Sequence, residues 1–445
     1  MVTAAHEIGV TKSCRLDHAR PVIELLRNAV NISAMKTDAA VIVDNYPAAQ
    51  RSLRVAFVTE TYPPEVNGVA MTMAQVVEGL HRRNHDVQLI RPRQDSRDAA
   101  EQAVRFNEIL MRGLPIPRYP NLRMGVPSKR ALVQLWSLHR PDVVHIATEG
   151  PLGWSALQAA LRLKLPVCSD FRTNFHAYSK HYGMSWLHKP IMAYLRKFHN
   201  RTLCTMVPTD ALRRHLEACG FRHLSVVARG VDTKRFNPLH RSESLRRQWG
   251  VTADDLVVTC VGRLAPEKNL GALMAAFEAI RVNDVRAKLV VVGDGPMRAE
   301  LQARCLDAVF AGQRTGHDLA AHYASVDLFL FPSLTETFGN VTTEAMASGL
   351  PVVAFDYAAA AQLIHRGENG VLVPHGDTGA FVHASAGLAG ERTRRLAMGV
   401  QARLSADALD WDDVIARFEG VLVNVMLRAA TTPTVGFAPA SYPAA

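Results

Sequence analysis

Two glutamates and a glycine in residues 331–355 form the part of this sequence best suited to bind a substrate. The segment reads FPSLTETFGNVTTEAMASGLPVVAF; Glu336 lies in a loop, and a helix predicted to begin near Val341 carries Glu344 in its first turn. Gly339, at the helix N-terminus, lets backbone N–H groups approach an anion, which the helix dipole also favours. The two carboxylates could accept hydrogen bonds from sugar hydroxyls beside that anion. Alternatively, Glu344 only complements the dipole and Glu336 is solvated.

Two cations follow a predicted buried strand in the segment VGRLAPEKNL, residues 261–270. Arg263 comes directly after the strand, and Lys268 is predicted in the first turn of the next helix. A lysine at a helix N-terminus is unfavourable unless an anion offsets its charge. The pair therefore fits a diphosphate, each charge-assisted hydrogen bond contributing about 1.5–3 kcal/mol. The alternative is a surface lysine paired with Glu267 and a structural arginine.

A third candidate is Gly68 in the segment TETYPPEVNGV, which follows the first predicted strand and opens a helix. The Asn67-Gly68 turn permits close approach of a ligand to the backbone. A fourth segment, Asp410-Trp411-Asp412, has the D-x-D spacing of some metal sites. It falls where a helix begins, so capping explains it better and no metal is expected.

The elements that position these residues alternate between short β-branched runs and amphipathic stretches, as in parallel βα units. Two successive sets predict an α/β protein with two Rossmann-like domains that face a cleft. We expect an N-terminal extension at 1–50, a first domain at 51–238, a second at 239–410 and a disordered tail at 429–445. The predicted strands are Leu53–Val58, Asp86–Ile90, Asp142–Ile146, Pro166–Ser169, Cys204–Val207, Leu224–Ala228, Leu256–Gly262, Lys288–Val292, Ala308–Ala311, Asp327–Phe331 and Pro351–Ala354.

Composition excludes several classes of protein. The chain has 445 residues, of which 48% are hydrophobic and 21% charged, as in a globular protein of two domains. No apolar run approaches the roughly 18 residues of a membrane span, and no signal-peptide core is present, so we predict a cytoplasmic protein. Its net charge of +10 is dispersed, which favours an acidic substrate or an anionic membrane surface over nucleic acid.

The chain resembles the family 4 retaining glycosyltransferases of the GT-B fold from about residue 53 to residue 428. The likeness is densest at VGRLAPEKNL, VVGDGPMRAEL and SLTETFGNVTTEAMASGLPVVA. The segments TETYPPEVNGVA, HIATEGPLGWSAL and RGVDTKRFNP are most similar to bacterial GDP-mannose-dependent α-mannosyltransferases. The resemblance implies a nucleotide diphosphate sugar as co-substrate, GDP-mannose favoured, no other cofactor, and a lipid or glycan acceptor. It also implies that the C-terminal helix, 411–428, crosses back onto the first domain.

The resemblance implies that Arg263 and Lys268 hold the donor diphosphate while Gly68 closes over it. It implies that Glu344 binds ribose hydroxyls and that Glu336 contacts the transferred sugar. The sugar would also contact the backbone of four residues at the start of the helix, Phe338, Gly339, Asn340 and Val341. The candidate catalytic residues are Glu336, Arg263, Lys268 and Arg172.

Arg172 departs from the family pattern, in which many relatives carry a histidine in a motif like S-F-H-T-N-F. Here the stretch reads SDFRTNF, and arginine cannot serve as a general base. Two interpretations stay open, an altered substrate and local pairing of Arg172 with Asp170. The acceptor side is expected to include Asn174, His176 and Glu149.

Other functions and a membrane contact also stay open. A UDP-sugar-dependent glucosyltransferase of the same family, a nucleotide-sugar epimerase and a non-catalytic nucleotide-sugar binder are the alternatives. A dinucleotide oxidoreductase is disfavoured because no G-x-G-x-x-G follows the first strand of either set. The basic and aromatic segment Trp186–Arg201 could lie on the inner face of a membrane and present a lipid acceptor, or it could pack its apolar side inside the protein.

Overall fold

The computed structural model describes residues 52–65, 67–94, 98, 106–116, 119–172 and 188–431. The predicted N-terminal extension and nearly all of the predicted tail lie outside these residues. Among the helices described, none is long and apolar enough to cross a membrane.

The first half of the fold is a seven-stranded parallel sheet in the order β3-β2-β1-β6-β7-β8-β9, with β4 and β5 forming a separate antiparallel pair. Its strands are β1 (Arg54–Val58), β2 (Asp86–Pro92), β3 (Asn107–Met111), β4 (Gly113–Ile116), β5 (Tyr119–Gly125), β6 (Val143–Ile146), β7 (Val167–Asp170), β8 (Cys204–Val207) and β9 (Leu224–Val226). Its helices are α1 (Gly68–Arg82), α2 (Lys129–Leu138), α3 (Pro151–Arg162), α4 (His188–His199) and α5 (Asp210–Ala218).

The second half is a six-stranded parallel sheet in the order β12-β11-β10-β13-β14-β15. Its strands are β10 (Val257–Val261), β11 (Lys288–Val292), β12 (Val309–Gly312), β13 (Leu328–Phe331), β14 (Val352–Phe355) and β15 (Gly370–Val373). Its helices are α6 (Glu243–Gln248), α7 (Leu270–Asn283), α8 (Arg298–Arg304), α9 (Gly316–Ala324), α10 (Asn340–Ala347), α11 (Ala358–Leu363), α12 (Thr378–Gly390) and α13 (Arg392–Asp407). The predicted α/β class with two Rossmann-like halves is confirmed; the domain boundaries stay predictions.

Each sheet has hydrophobic clusters on both faces, because its strands are nearly continuous apolar runs. Every residue of the β10 strand, VVTCV, is buried. In open parallel sheets of this kind, ligands bind beyond the carboxyl ends of the strands. The loops after β1, β10 and β13 therefore carry the candidate residues.

The last helix, α14 (Trp411–Thr431), returns to the first half of the fold, as the resemblance implies. Its buried side chains Ile415 and Phe418 share a hydrophobic cluster with Phe57 and other β1 residues. The ring of Phe418 stacks 6.4 Å from that of Phe57 and meets the edge of His145 at 4.8 Å. The helix thus joins the end of the chain to the core of the first sheet.

Strands β3, β4, β5 and β15 and helix α2 are absent from the sequence prediction. The residues of β3, NEILM, are at most partly buried, so their pattern lacks the apolar run that marks the central strands. The β3 segment therefore lacks the pattern by which the other strands were predicted.

We expect Phe418→Ala to lower the free energy of unfolding by about 3–5 kcal/mol, because the truncated ring leaves a cavity in the first core. Denaturant titration followed by circular dichroism measures the change. Leu427→Ala on the same helix is the control: Leu427 is 51% exposed, so the loss should stay within about 0.5 kcal/mol. Equal losses in the two variants would contradict the proposed docking of α14.

Candidate functional site

Lys268 and Glu336 form an ion pair between the loops that follow the neighbouring strands β10 and β13. The Ser333 hydroxyl donates a hydrogen bond of 2.9 Å to the same carboxylate oxygen of Glu336. The ammonium lies 5.7 Å from the centroid of the Phe331 ring. Both charged side chains are about 15% exposed. The structure thus brings together the cation predicted for the diphosphate and the carboxylate predicted for the sugar.

Lys268 lies just before the α-helix whose first turn was predicted to contain it. Lys268 ends a short 3-10 turn, Pro266–Lys268, and Asn269 then adopts a left-handed conformation with φ 52° before α7 begins at Leu270. Its side chain is therefore still near the N-terminus of α7, where a positive charge is unfavourable without a partner. Glu336 provides the negative charge that offsets the lysine in the structure.

Arg263 forms an ion pair with Glu267, the residue that the alternative interpretation assigned to Lys268. The Glu267 side chain is fully buried, whereas that of Arg263 is 39% exposed. A guanidinium has five N–H donors in a planar fork. Arg263 can therefore be held by the buried carboxylate and still present donors to a ligand.

The N-terminus of α10 provides backbone donors beside this ion pair. Gly339 precedes the helix with φ 96°, a left-handed conformation that glycine adopts without strain. Phe338 is buried, and Val341 is partly buried in the first turn. The first N–H groups of a helix have no intrahelical acceptor. The N–H groups of Asn340 and Val341 are thus candidates to bind a phosphate or sugar oxygen, whereas that of Thr342 donates to the Gly339 carbonyl at 3.0 Å.

Glu344 lies in the second turn of α10, whereas the sequence analysis placed it in the first turn. The Tyr323 hydroxyl donates a hydrogen bond of 2.9 Å to its carboxylate. Burial raises the pKa of the Glu344 carboxyl to about 7; the bond from Tyr323 and the charge of Arg235 offset part of the rise. This carboxylate needs further donors to stay ionised at neutral pH, which ribose hydroxyls could supply.

A small set of polar contacts, here called the seam, joins the loops of the two halves. Asn340 Nδ2 donates to the Gly68 carbonyl at 3.3 Å and to the Thr72 hydroxyl at 3.4 Å. Arg229, which follows β9, donates from Nη1 to Asn340 Oδ1 at 2.9 Å. The seam places Gly68, at the start of α1, directly opposite the start of α10. The predicted closure of Gly68 over the donor is compatible with this arrangement.

Arg172 also lies at the seam, where its backbone carbonyl accepts a hydrogen bond of 2.8 Å from the Thr337 hydroxyl. Its Nε donates to Asp170, so the local pairing considered from the sequence is present. His145 Nε2 lies 3.2 Å from the same Asp170 oxygen. Burial would raise the pKa of Asp170, but the charges of Arg172 and His145 and their hydrogen bonds lower it to about 2. Arg172 is thus fixed by an ionised, buried carboxylate.

Glu149 is buried inside the first half instead of open to a ligand. Its carboxylate lies 3.2 Å from His199 Nε2, and His199 Nδ1 lies 2.9 Å from the Ser169 hydroxyl. The Tyr194 hydroxyl donates to the Glu149 carbonyl. The acceptor role of Glu149 therefore stays a prediction, and its carboxylate is not exposed to a ligand in the structure. Asn174 and His176 lie outside the described residues.

The D-x-D segment caps a helix, as the sequence predicted. Asp410 precedes α14, and its carboxylate accepts a hydrogen bond of 2.9 Å from the backbone N–H of Asp412. Among the residues described, no group of three or more His, Cys, Asp or Glu side chains is placed to hold a metal ion.

Sequence reasoning missed Tyr323 and Arg229. Tyr323 is a buried residue of α9 with an ordinary helical pattern, so nothing in the sequence links it to Glu344. Arg229 stands in RGVDTKRFNP, a segment used for the resemblance but given no role. The available signal was the position of Arg229 directly after a predicted strand. Residues that follow the strands of an open parallel sheet lie at its carboxyl edge, where ligands bind.

Comparisons with known proteins identify the family of this chain. A family model described as "Glycosyltransferase Family 4" matches residues 66–235, and one described as "Glycosyl transferases group 1" matches residues 255–390. The chain is 37% identical over 392 residues to a GDP-mannose-dependent alpha-mannosyltransferase of Mycobacterium tuberculosis, covering 85% of this chain and 99% of that protein. The chain belongs to glycosyltransferase family 4.

A second relative with the same description, from Mycolicibacterium smegmatis, is 36% identical to this glycosyltransferase. The match covers 85% of this chain and all of that protein. Solved structures show the same fold. Sucrose-phosphate synthase from Thermosynechococcus elongatus superimposes with a TM-score of 0.68 at 20% identity, over 86% of this chain and all of that chain. Anabaena Alr3699/HepE in complex with UDP-glucose gives a TM-score of 0.66 at 18% identity, over 84% of this chain and all of that chain.

Replacing Glu344 with Gln tests the effect of its burial on stability. A carboxyl whose pKa rises from 4.5 to about 7 on folding holds a proton more tightly in the folded state. The free energy of unfolding then falls as the pH rises through this interval. We expect Glu344→Gln to lose less stability than the parent protein between about pH 5 and about pH 8, by on the order of 2 kcal/mol.

Urea titration at several pH values measures this difference. Glu300→Gln, at an exposed position of α8, is the control and should retain the full pH dependence. Glu60 keeps its own contribution in both variants, because burial also raises its pKa to about 7. Parallel profiles of unfolding free energy against pH for Glu344→Gln and the parent protein would contradict a raised pKa of Glu344 in the folded state.

Proposed function

We propose that this glycosyltransferase transfers mannose from GDP-mannose to a hydroxyl of a lipid or glycan acceptor, with retention of anomeric configuration. The observation that carries the proposal is the convergence of Lys268 and Glu336 beside the N-terminus of α10, which also bears Glu344. Relatives at 36–37% identity that match nearly their whole length are described as GDP-mannose-dependent, which supports the choice of donor.

In the proposed complex, the diphosphate lies between Arg263 and Lys268 and against the backbone donors of α10. Glu344 accepts hydrogen bonds from the ribose, which lowers its pKa and makes it a stable carboxylate. Glu336 accepts from sugar hydroxyls, and Lys268 then shares its charge between this carboxylate and the phosphate. Closing the two halves excludes water that would hydrolyse the sugar.

The proposed transfer needs no side-chain base. The bond between the anomeric carbon and the phosphate oxygen breaks, and its electron pair stays on the phosphate. The acceptor oxygen bonds to the same face of that carbon, and its proton passes to the departing phosphate oxygen. Cations already in place stabilise the charge that develops on the diphosphate.

We expect Lys268→Ala to lower kcat on the order of a hundredfold or more, because it removes a charge that stabilises the leaving diphosphate. The assay follows release of GDP from GDP-mannose in the presence of a lipid or glycan acceptor. Lys129→Ala, at an exposed position of α2, removes the same charge elsewhere and should keep the parent rate. A Lys268→Ala variant with normal kcat would count against the proposed role of the pair.

The donor itself is tested by thermal unfolding of the parent protein with GDP-, UDP- and ADP-sugars. Preferential stabilisation by GDP-mannose is expected, since a ligand that binds only the folded state raises the melting temperature. Stronger protection by a UDP-sugar would favour the glucosyltransferase alternative.

We also propose contact with the inner face of a membrane through the basic side of α4. The apolar residues Leu195 and Phe198 are buried in the protein, so the helix does not insert an apolar face into lipid. Lys189, Arg196 and Lys197 remain exposed on its other side. Such a surface suits attraction to anionic headgroups, at about 1 kcal/mol per basic residue near the membrane.

The expected result is pelleting with phosphatidylglycerol vesicles at low salt and little pelleting with phosphatidylcholine vesicles. Combined Lys189→Glu and Lys197→Glu substitutions should abolish it, because they reverse the charge of this face. Lys129→Glu with Arg130→Glu on α2 is the charge-matched control. Absence of binding by the parent protein at low salt would end the membrane proposal.

A further inference from the structure

Arg229 is a buried cation whose hydrogen-bonding capacity is largely unused. Its residue is 4% exposed, and Nη1 donates to Asn340. Its Nε and Nη2 are buried and have no hydrogen-bond partner among the residues that the structure describes. The guanidinium carbon lies 5.6 Å from the centroid of the Phe338 ring, a contact that satisfies none of these N–H groups. A guanidinium buried in this way is unfavourable unless it has a ligand.

The surroundings of Arg229 add positive potential. A β-carbon built on Gly68, the first residue of α1, would lie 3.9 Å from Arg229 Nη1. Asn340, which Arg229 contacts, is the first residue of α10. The N-termini of two helices, each equivalent to a partial positive charge, therefore meet at a buried guanidinium. Burial and the nearby charge of Arg172 lower the pKa of Arg229 to about 9, although Asp170 and Glu336 oppose this.

We infer that Arg229 is a third phosphate-binding cation of the donor site and holds the phosphate attached to the sugar. This inference rests on the proposed function and extends it to a residue in the first half of the fold. Arg229 and Gly68 approach the diphosphate from one side, while Arg263 and Lys268 approach it from the other. The side-chain carbonyl of Asn340 accepts a hydrogen bond from one of the N–H groups, on Nη1, that the phosphate would take.

A purely structural role for Arg229 makes a different prediction. An arginine that clamps the two halves would satisfy several of its donors with protein acceptors, as Arg246 does with the carbonyls of Thr252, Asp255 and Ser325. Arg229 makes a single hydrogen bond to the described protein, and its acceptor is a side chain that can rotate. Removing Arg229 should therefore cost the ligand-free protein little stability, because an unpaired buried charge is removed with it.

The test compares Arg229→Gln and Arg229→Lys with the parent protein in calorimetric titrations of GDP, GMP and inorganic pyrophosphate. We expect Arg229→Gln to weaken GDP and pyrophosphate binding roughly tenfold to a hundredfold and GMP binding less than about threefold. Arg229→Lys should lie between the parent protein and Arg229→Gln, since it keeps the charge but loses the fork geometry. Arg222→Gln, an exposed arginine on the preceding turn, controls for net charge and should bind all three normally.

Thermal unfolding of the ligand-free variants completes the experiment. An unchanged or higher melting temperature for Arg229→Gln, together with the selective loss of diphosphate binding, supports the inference. Normal GDP binding by Arg229→Gln would overturn it and leave the proposed function intact. A lower melting temperature with equal losses of GDP and GMP binding would assign Arg229 a structural role and also overturn it. A parent protein that binds neither GDP nor pyrophosphate would overturn both proposals.

Discussion

Buried charge at the loops beyond the two sheets is the constraint on which the candidate site depends. Taking a charged group out of water is costly unless a partner or a ligand compensates it. Lys268 is compensated by Glu336, the fully buried Glu267 by Arg263, and Arg172 by Asp170. Each partner fixes the position of a cation before any substrate arrives. Arg229 departs from this rule, since its hydrogen bond to Asn340 brings no negative charge.

The fold could be predicted because its central strands are buried on both faces. Runs such as VVTCV in β10 stand out as continuous apolar segments between amphipathic stretches. The edge strand β3 is less buried, and its pattern of partial burial gave no comparable signal. Helix α14 is amphipathic, but its sequence pattern does not show which surface the apolar side packs against. Only the resemblance indicated that this helix packs on the first half of the fold.

The site could be predicted in part, because parallel strands place the loops that follow them at one edge of the sheet. Lys268 and Glu336 therefore lie together although they are far apart in sequence. Which charges pair could not be derived, since the 3-10 turn before α7 directs Lys268 to Glu336 and leaves Glu267 to Arg263. Partners that come from another element, such as Tyr323 for Glu344, carry no local pattern at all.

Arg172 constrains where the acceptor proton can go. The pKa of Asp170 is lowered to about 2 by the charges of Arg172 and His145, against the effect of burial, so this carboxylate is a very weak base. Arginine does not give up its proton at neutral pH, so neither member of the pair can exchange a proton in turnover. The weak basicity of this pair agrees with the proposed transfer, in which the leaving phosphate oxygen takes the acceptor proton. In that proposal the cations near the phosphate share their charge with carboxylates, Lys268 with Glu336 and Arg263 with Glu267, so the departing oxygen can keep enough basicity to accept a proton.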